Sequence, residues 1–312
     1  MKEIEHRINY NLKSFNTLRI SSIADDVYLP KTIDEIKVLL ANLDNPIIVG
    51  CGSNILFSSS GIKRPVIVTK HLDKVTVNPP FIEAQAGVAT AKLSNMAFEL
   101  RLSGFEFLIG LPATLGGAVV MNAGANAQAI SDYFVSACVY DTKEDKILEL
   151  SRDDMKFSYR NSLLKENIGR YVLLSAKFEL EQADSYIAIK QMMDEAVEKR
   201  KNSQPGLKEP NLGCAFKNPV DKEGRTISAG KLIDEVGLKG HLEGGAMVYF
   251  NHANFIINFN EATSMDYINL MREMQRLVFD RFDIMLEPEV VYMGSDKKEV
   301  ELWNTLTKAN NN

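Results

Sequence analysis

The chain's 312 residues are 45% hydrophobic, enough to bury two or three modest cores, so more than one domain is expected. Charged residues make up 25% and the net charge is −5, which leaves no basic excess to draw the protein onto nucleic acid or an anionic membrane. Met1–Tyr10 is charged and has no apolar stretch ahead of a cleavage site, and no later apolar run nears the roughly 20 residues of a membrane span, so a cytoplasmic protein is expected.

In chain order, Thr32 stands three residues before Glu35, and Ile33, Ile36, Leu39, Leu40 and Leu43 share one helical stripe, which predicts a capped amphipathic helix. It leads into the short apolar strand Pro46 to Val49 and then into Gly50-Cys51-Gly52-Ser53-Asn54. A glycine-rich turn at a strand's end lets backbone N–H groups approach a phosphate, and Ser53 and Asn54 can add side-chain hydrogen bonds. Most such turns are only turns, and the GK[ST] of a P-loop is missing here. Pro65 to Val68 and Phe81 to Ala86 predict further strands. Gly87 ends the second, and Thr90 is expected to cap a helix carrying Leu93, Ala97 and Leu100 that stops near Gly104.

The stretch Gly104 to Ala118, followed by Met121 to Ala125, is dense in glycine and is expected to form neither an ordinary helix nor a strand. Its use is close backbone approach to something flat or phosphorylated. Phe105, Phe107, Leu108, Leu111 and Met121 want burial, which disfavours a mobile loop. Phe134 to Tyr140 and Lys146 to Leu150 predict a hairpin across Asp141 to Asp145, and Tyr171 to Leu180 another strand. Between them Tyr159-Arg160-Asn161-Ser162 sets a guanidinium among hydroxyls and an amide, able to hold a carboxylate or phosphate in a fork, although most such arginines are solvated.

Tyr186 to Lys201 predicts a charged helix, and turn formers from Gln204 to Pro210 mark a domain boundary. Gly213-Cys214-Ala215-Phe216-Lys217-Asn218-Pro219 then places a thiol, an ammonium and an amide within a few residues. Ser228 caps a short helix to Val236, Ala246 to Val248 and Asn254 to Asn258 predict strands, and Thr263 caps a long helix with Tyr267, Met271, Met274, Val278 and Phe282 on one face. Leu286 to Tyr292 is expected to close the ordered chain as a strand, with Lys308 to Asn312 frayed. Cys51, Cys138 and Cys214 are an odd set without CxxC spacing, so neither a disulfide framework nor a metal site is expected; for any one of them a small buried hydrophobe is the plain alternative.

With these stretches assembled, the chain resembles the UDP-N-acetylenolpyruvoylglucosamine reductases. The matching pieces are Asn16-Thr17-Leu18-Arg19-Ile20, GCGSN, GFEFLIGLPATLGGAVVMNAGA, Tyr159-Arg160-Asn161-Ser162, Gln204-Pro205, GCAFKNP, AGKLIDEVGLKG, His252-Ala253-Asn254-Phe255 and LEPEV, in the family's order over nearly the whole chain. The resemblance implies an α+β protein, with a two-subdomain FAD-binding fold of the vanillyl-alcohol-oxidase (PCMH) type and a smaller α/β substrate-binding domain. It places residues 1–72 with 291–312 in the first FAD subdomain, 73–200 in the second and 201–290 in the substrate domain. The short spacing from Ala183 to Pro210 matches the subtype without a lid-loop insertion.

It further implies bound FAD with NADPH as co-substrate, and reduction of the enolpyruvyl ether of UDP-N-acetylglucosamine to UDP-N-acetylmuramate by a monomer. Gly50, Cys51, Gly52, Ser53 and Asn54 would cradle the pyrophosphate. Gly110, Pro112, Ala113, Thr114, Gly116, Gly117, Ala118, Asn122, Ala123 and Gly124 would line the flavin. Arg160 would face the negative charge that develops on the substrate, Glu289 would hold the geometry or protonate, and Cys214, where many members carry serine, would deliver a proton to one carbon. Tyr159, Lys217 and Asn218 would bind substrate, while Glu287 reads as the surface carboxylate of its pair. A flavin oxidase of hydroxy acids or sugars, or a non-catalytic flavin binder, stays open at this point.

Overall fold

A computed structural model describes residues 4–206 and 208–308. The chain forms two compact units, one built mainly from Asp26–Cys51 and Arg64–Arg200, the other from Asn9–Asp25, Gly52–Lys63 and the chain from Lys201 onward.

In the first unit, helix α1 (Ile33–Asn42) starts where Thr32 accepts a hydrogen bond from the Glu35 amide, as its sequence predicts. Val66–Val68 pairs in parallel with Ile47–Val49 on one side and with Val27 and Tyr28 on the other. A five-stranded antiparallel sheet follows, in the order Lys146–Ser151, Phe134–Asp141, Tyr171–Glu179, Phe81–Gln85, Val75–Asn78. Its central strand is buried on both faces, which explains the unbroken apolar run Val172-Leu173-Leu174. Leu173 joins the core under helix α2 (Thr90–Glu99), whereas Val172 and Leu174 join the core under α1.

Two expectations are corrected here. Thr90 is not a cap: it lies inside the first turn of α2, and its hydroxyl donates to the carbonyls of Leu111 at 2.7 Å and Ala113 at 3.2 Å. The glycine-rich stretch does contain a helix, α3 (Leu115–Val120), because Thr114 caps it and its first amides are tied down by the carbonyls of Val88 and Ala86. Tertiary anchoring thus outweighs the poor propensity of Gly116 and Gly117. Helices α4 (Leu163–Glu166) and α5 (Tyr186–Ser203) follow.

In the second unit, an antiparallel sheet runs Asn211–Cys214, Phe255–Asn258, Ala246–Val248, Leu242–Glu243. Helix α6 (Ala229–Glu235) begins at Ser228, and α7 (Ser264–Phe282) begins at a reciprocal Thr263–Asp266 capping box. The α7 stripe Tyr267, Met271, Met274 and Val278 is fully buried in the core. The expected strand from Leu286 to Tyr292 is cut to Val291–Met293, which pairs in parallel with Ile55–Phe57. Leu286 to Val290 instead makes single bridges, its N–H groups and carbonyls meeting the Cys214 stretch. Nor does a strand close the chain: α8 (Lys297–Lys308) follows, fastened to α7 by Gln275 Nε2 donating to Leu306 O at 3.0 Å and Ser264 Oγ to Glu299 Oε1 at 2.7 Å. Of the end expected to fray, residues 309–312 lie outside the described residues, and Lys308 is the last residue of α8.

Candidate functional site

The first glycine-rich turn follows directly from Val49. A Cβ at Gly50 would sit 2.1 Å from Thr114 Oγ1, so this strand end and the N-cap of α3 approach as only glycine allows. The chain passes from one unit to the other within this turn. Gly52 has φ +61°, and a Cβ there would lie 2.2 Å from Phe15 O. Cys51, by contrast, stays out of the left-handed region, so a side chain is tolerated there. Burial pushes its thiol up, partly offset by Lys70.

Whether these loops fit a phosphorylated, flat cofactor can be tested on their own contacts. The amides of Cys51, Gly52 and Ser53 donate to no acceptor among the described residues, as expected of a turn that keeps its N–H groups for an anion. Gly117 is exposed, and a Cβ there would meet only Thr114 Oγ1, at an ordinary 3.8 Å. Packing within the protein therefore does not demand this glycine, which costs its helix about 1 kcal/mol relative to alanine. What it keeps clear is space outside the protein. The residues fit the group.

The second glycine-rich stretch is stitched to its surroundings. Thr90 holds the carbonyls of Leu111 and Ala113, and the amide of Ala123 donates to Ala118 O at 2.8 Å. Asn122, buried, donates through Nδ2 to Ser158 O at 2.9 Å and accepts from the Ser131 amide at 3.3 Å, so its amide group braces the turn that carries Tyr159 and Arg160. That turn is closed by reciprocal Ser158 and Asn161 backbone bonds and pinned again by Ser162 Oγ donating to Val120 O at 2.7 Å. Arg160, at φ 54°, donates from Nη2 to Gly124 O at 3.1 Å, its guanidinium 5.4 Å from the Tyr159 ring centre. Arg160 thus lies against the predicted flavin loop, although 36 residues separate it from Gly124. The aliphatic part of Arg200, which nothing in the sequence singled out, packs where a Gly110 Cβ would go, 2.4 Å from Cδ.

In the second unit the GCAFKNP and LEPEV stretches run antiparallel. The Glu289 amide donates to Ala215 O at 2.9 Å, the Lys217 amide donates to Glu287 O at 2.9 Å, and Phe216 bridges Pro288. This pairing sets Glu289 opposite the neighbour of Cys214. It also explains Glu287, read as a surface carboxylate: exposed as it is, it pairs with the ammonium of Lys217. Asn54 Nδ2 donates to Glu289 O at 3.0 Å and the Val291 amide to Asn54 O at 2.9 Å, so Asn54 anchors the Glu289 backbone. Asn218 Oδ1 accepts from the Ala229 amide at 3.0 Å, at the start of α6.

Two residues absent from the predicted site brace the backbone of this unit, Asn254 at this stretch and Asn16 at its own turn. Buried Asn254 exchanges hydrogen bonds with Phe216, Oδ1 accepting at 3.0 Å and Nδ2 donating at 2.8 Å, while its carbonyl takes the Ala215 amide at 2.8 Å. Asn16 clasps its own turn through Leu12 O, Ile20 O and the Ile20 amide. Only their presence in the NTLRI and HANF motifs could have drawn attention to them. His252 packs edge-on to Phe255 at 4.9 Å, and burial pushes its pKa down. Among the described residues no group of three or more His, Cys, Asp or Glu could hold a metal ion, and no helix is long and apolar enough to cross a membrane.

Residues 24–151 match the model of an FAD binding domain, and residues 204–293 that of the UDP-N-acetylenolpyruvoylglucosamine reductase C-terminal domain. The reductase of Caldicellulosiruptor bescii is 40% identical over 93% of this chain and 91% of its own. That of Caldanaerobacter subterraneus is 38% identical over 94% and 95%. The crystal structure of the Thermus caldophilus reductase superposes with a TM-score of 0.78 at 30% identity, covering 94% of this chain and 99% of that one.

Proposed function

The chain belongs to the UDP-N-acetylenolpyruvoylglucosamine reductase family, FAD oxidoreductases of peptidoglycan precursor synthesis, and on that premise we propose that it reduces the enolpyruvyl ether of UDP-N-acetylglucosamine to UDP-N-acetylmuramate with NADPH, Cys214 supplying the proton. The observation that carries this reading is the Ala215–Glu289 backbone pairing, which ties the thiol-bearing stretch to the carboxylate. The amides of Cys51, Gly52 and Ser53 would hold the FAD pyrophosphate, and the backbone from Gly110 to Ala118 and Asn122 to Gly124 would line its ring. When bound, FAD supplies the hydride, through N5.

The chain's own residues do the rest. Hydride addition at the vinyl terminus leaves negative charge on the neighbouring carbon and its carboxylate. A fixed cation such as Arg160 lowers that barrier, and removal of such a donor typically costs about 100- to 1,000-fold in rate. Cys214 then gives its proton to that carbon; a thiol near pKa 8.5 is a far stronger acid than the serine hydroxyl found at this position in many relatives. Glu289, its carbonyl held by Asn54 and its amide by Ala215, stays beside this chemistry to hold the geometry or protonate. Lys217, steadied by Glu287, binds the carboxylate or diphosphate, with Tyr159 and Asn218 contributing to substrate binding. The division into residues 1–72 with 291–312, 73–200 and 201–290, a cytoplasmic location and a monomeric state complete the proposal.

The test is made in two anaerobic half-reactions. Cys214→Ala is expected to leave flavin reduction by NADPH nearly intact and to slow reoxidation by the enolpyruvyl nucleotide by several orders of magnitude. Equal loss in both steps, or a wild-type enzyme reoxidised by oxygen but not by the nucleotide, overturns the reading. Cys214→Ser is expected to retain substantial turnover.

A further inference from the structure

Helix α8 begins beyond residue 293, where the match to the reductase C-terminal domain ends, and its first turn carries a carboxylate inward. Glu299 is only 3% exposed. Burying a carboxylate costs more than burying an amide or an aliphatic side chain, so its presence there needs a reason. Docking of α8 does not supply one, because Leu306 is fully buried in the core and Gln275 donates to its carbonyl. Both Glu299 oxygens are instead spent on hydroxyls of other elements. Oε1 accepts from Ser264 Oγ at 2.7 Å, and Oε2 accepts from the Tyr292 hydroxyl at 2.7 Å.

Those two hydroxyls lead to two strands. Ser264 Oγ accepts from the Ser59 amide at 2.8 Å, the Ser264 amide donates to Ser59 Oγ at 2.9 Å, and the Ser58 amide donates to Met293 O at 2.9 Å. Tyr292 is the middle residue of Val291–Met293, the partner of Ile55–Phe57. A Cβ at Gly294 would lie 2.2 Å from the Tyr292 hydroxyl and 2.5 Å from Ser58 Cβ, so glycine lets this corner close. At their other end the strands start beside the chemistry: Ile55 follows Asn54, the last residue of the turn read as holding the pyrophosphate, and Val291 stands two residues after Glu289. Asn54 ties that end together through Glu289 O and the Val291 amide. Three residues of strand span roughly 10 Å, so the Glu299 cluster fixes the opposite end of a short pair. Burial, and then the bond to Glu299, push the Tyr292 phenol above its ordinary range, and it remains a donor.

We propose that Glu299 is a positioning residue for the reductase reaction, its buried carboxylate holding, through Ser264 and Tyr292, the far ends of the two strands that begin at the Gly50–Asn54 turn and at Glu289. The inference rests on the reading of that turn as the pyrophosphate site and of Glu289 as a residue beside the reaction. A helix outside the matched domain thereby sets where both groups stand, and a carboxylate suits the task because it accepts from two hydroxyls at once.

The test compares Glu299→Ala with Glu299→Gln in the full chain. FAD affinity is read from the fluorescence of flavin released on dilution, and reoxidation by the enolpyruvyl nucleotide is followed in the flavin-saturated enzyme. In Glu299→Ala the Kd for FAD is expected to rise about tenfold, and kcat to fall about tenfold with KM for the nucleotide nearly constant, as small misplacement of fixed groups implies. Glu299→Gln keeps the shape and an acceptor oxygen and is expected to stay within about threefold of the wild type on both measures. Tyr292→Phe removes one of the two bonds with little change of volume and should reproduce part of the Glu299→Ala loss, the double variant losing less than the two single losses combined. A lower melting midpoint in Glu299→Ala with wild-type FAD affinity and reoxidation would mark a purely structural carboxylate and overturns the proposal. Wild-type behaviour of a folded Tyr292→Phe protein, a test that stands even if Glu299→Ala does not fold, overturns it as well. Normal reoxidation in Glu289→Gln instead removes the reading of Glu289, and FAD affinity then decides alone for or against Glu299.

Discussion

Gly50→Ala tests whether the close approach of the two glycine-rich loops is a packing requirement. The new methyl would lie 2.1 Å from Thr114 Oγ1 and 3.2 and 3.3 Å from its Cβ and Cγ2, inside the roughly 3.5 Å at which carbon atoms meet comfortably. Thr114 is buried and caps α3, so it cannot swing aside without releasing the Gly117 amide. Overpacking of about 1–3 kcal/mol and a lost cap of about 1 kcal/mol together predict a destabilisation of about 2–4 kcal/mol. At roughly 2–4 °C per kcal/mol, the melting midpoint should fall by several degrees. The assay is thermal unfolding by circular dichroism, with the ratio of flavin to protein absorbance measuring retained FAD, which should also drop. Thr114→Ala removes Oγ1 and Cγ2 and leaves only the 3.2 Å contact, so the double variant should lose at least about 1 kcal/mol less than the two single losses added. A Gly50→Ala protein with wild-type midpoint and flavin content, or strict additivity, would refute the argument.

Asp141 is almost fully buried; burial alone would raise its pKa, but hydrogen bonds from Arg170 and from the amides of Lys143 and Glu144 outweigh it and hold the carboxyl below its usual value. Its folded pKa being depressed, its contribution is present above the ordinary carboxylate value and is lost as the pH falls through the folded one, so Asp141→Asn should lower the neutral-pH midpoint and flatten the acid limb of a stability–pH curve. An acid limb of unchanged slope would contradict this. Arg160→Lys keeps the charge and loses the fork that reaches Gly124 O; reoxidation by substrate should slow about 100-fold with reduction by NADPH intact, and unchanged turnover would take Arg160 out of the mechanism. Glu287→Gln leaves the backbone pairing with Lys217 in place and removes the ion pair; the KM for the nucleotide should rise several-fold with kcat nearly constant, whereas a fall in kcat alone would count against its role in holding Lys217.

The elements legible in the chain are those whose signals are local. Thr32 and Thr263 cap α1 and α7 within three residues, and the hairpin turning at Asp141 to Asp145 is written in alternation and turn residues. The family, and with it FAD binding, was also readable, since the ordered motifs span nearly the whole chain and the relatives match over 93% of it. What escaped notice depends on partners far along the chain. Helix α3 forms in a glycine-rich segment because Ala86 and Val88 accept its first amides, and Thr90 spends its hydroxyl on Leu111 and Ala113 rather than on its own helix. The run from Leu286 to Tyr292 resembles a strand, yet only Val291–Met293 forms a regular ladder, while the residues before it meet the Cys214 stretch through one isolated bridge and its flanking backbone bonds. Asn16 and Asn254 are polar residues of ordinary appearance until the carbonyls and amides that they satisfy are known.

The sequence by itself determined the helix caps, the alternation of the strands, the family and the residue types its chemistry calls for. Tertiary structure alone decided that Glu289 pairs with Ala215, that Arg160 rests on Gly124, that Asn54 holds the Glu289 carbonyl and that Glu287 answers Lys217. The physical reason is range. Periodicity and capping act over a turn or two of chain, whereas these pairs join groups as many as 235 residues apart, through hydrogen bonds and an ion pair that exist only once the sheets have formed.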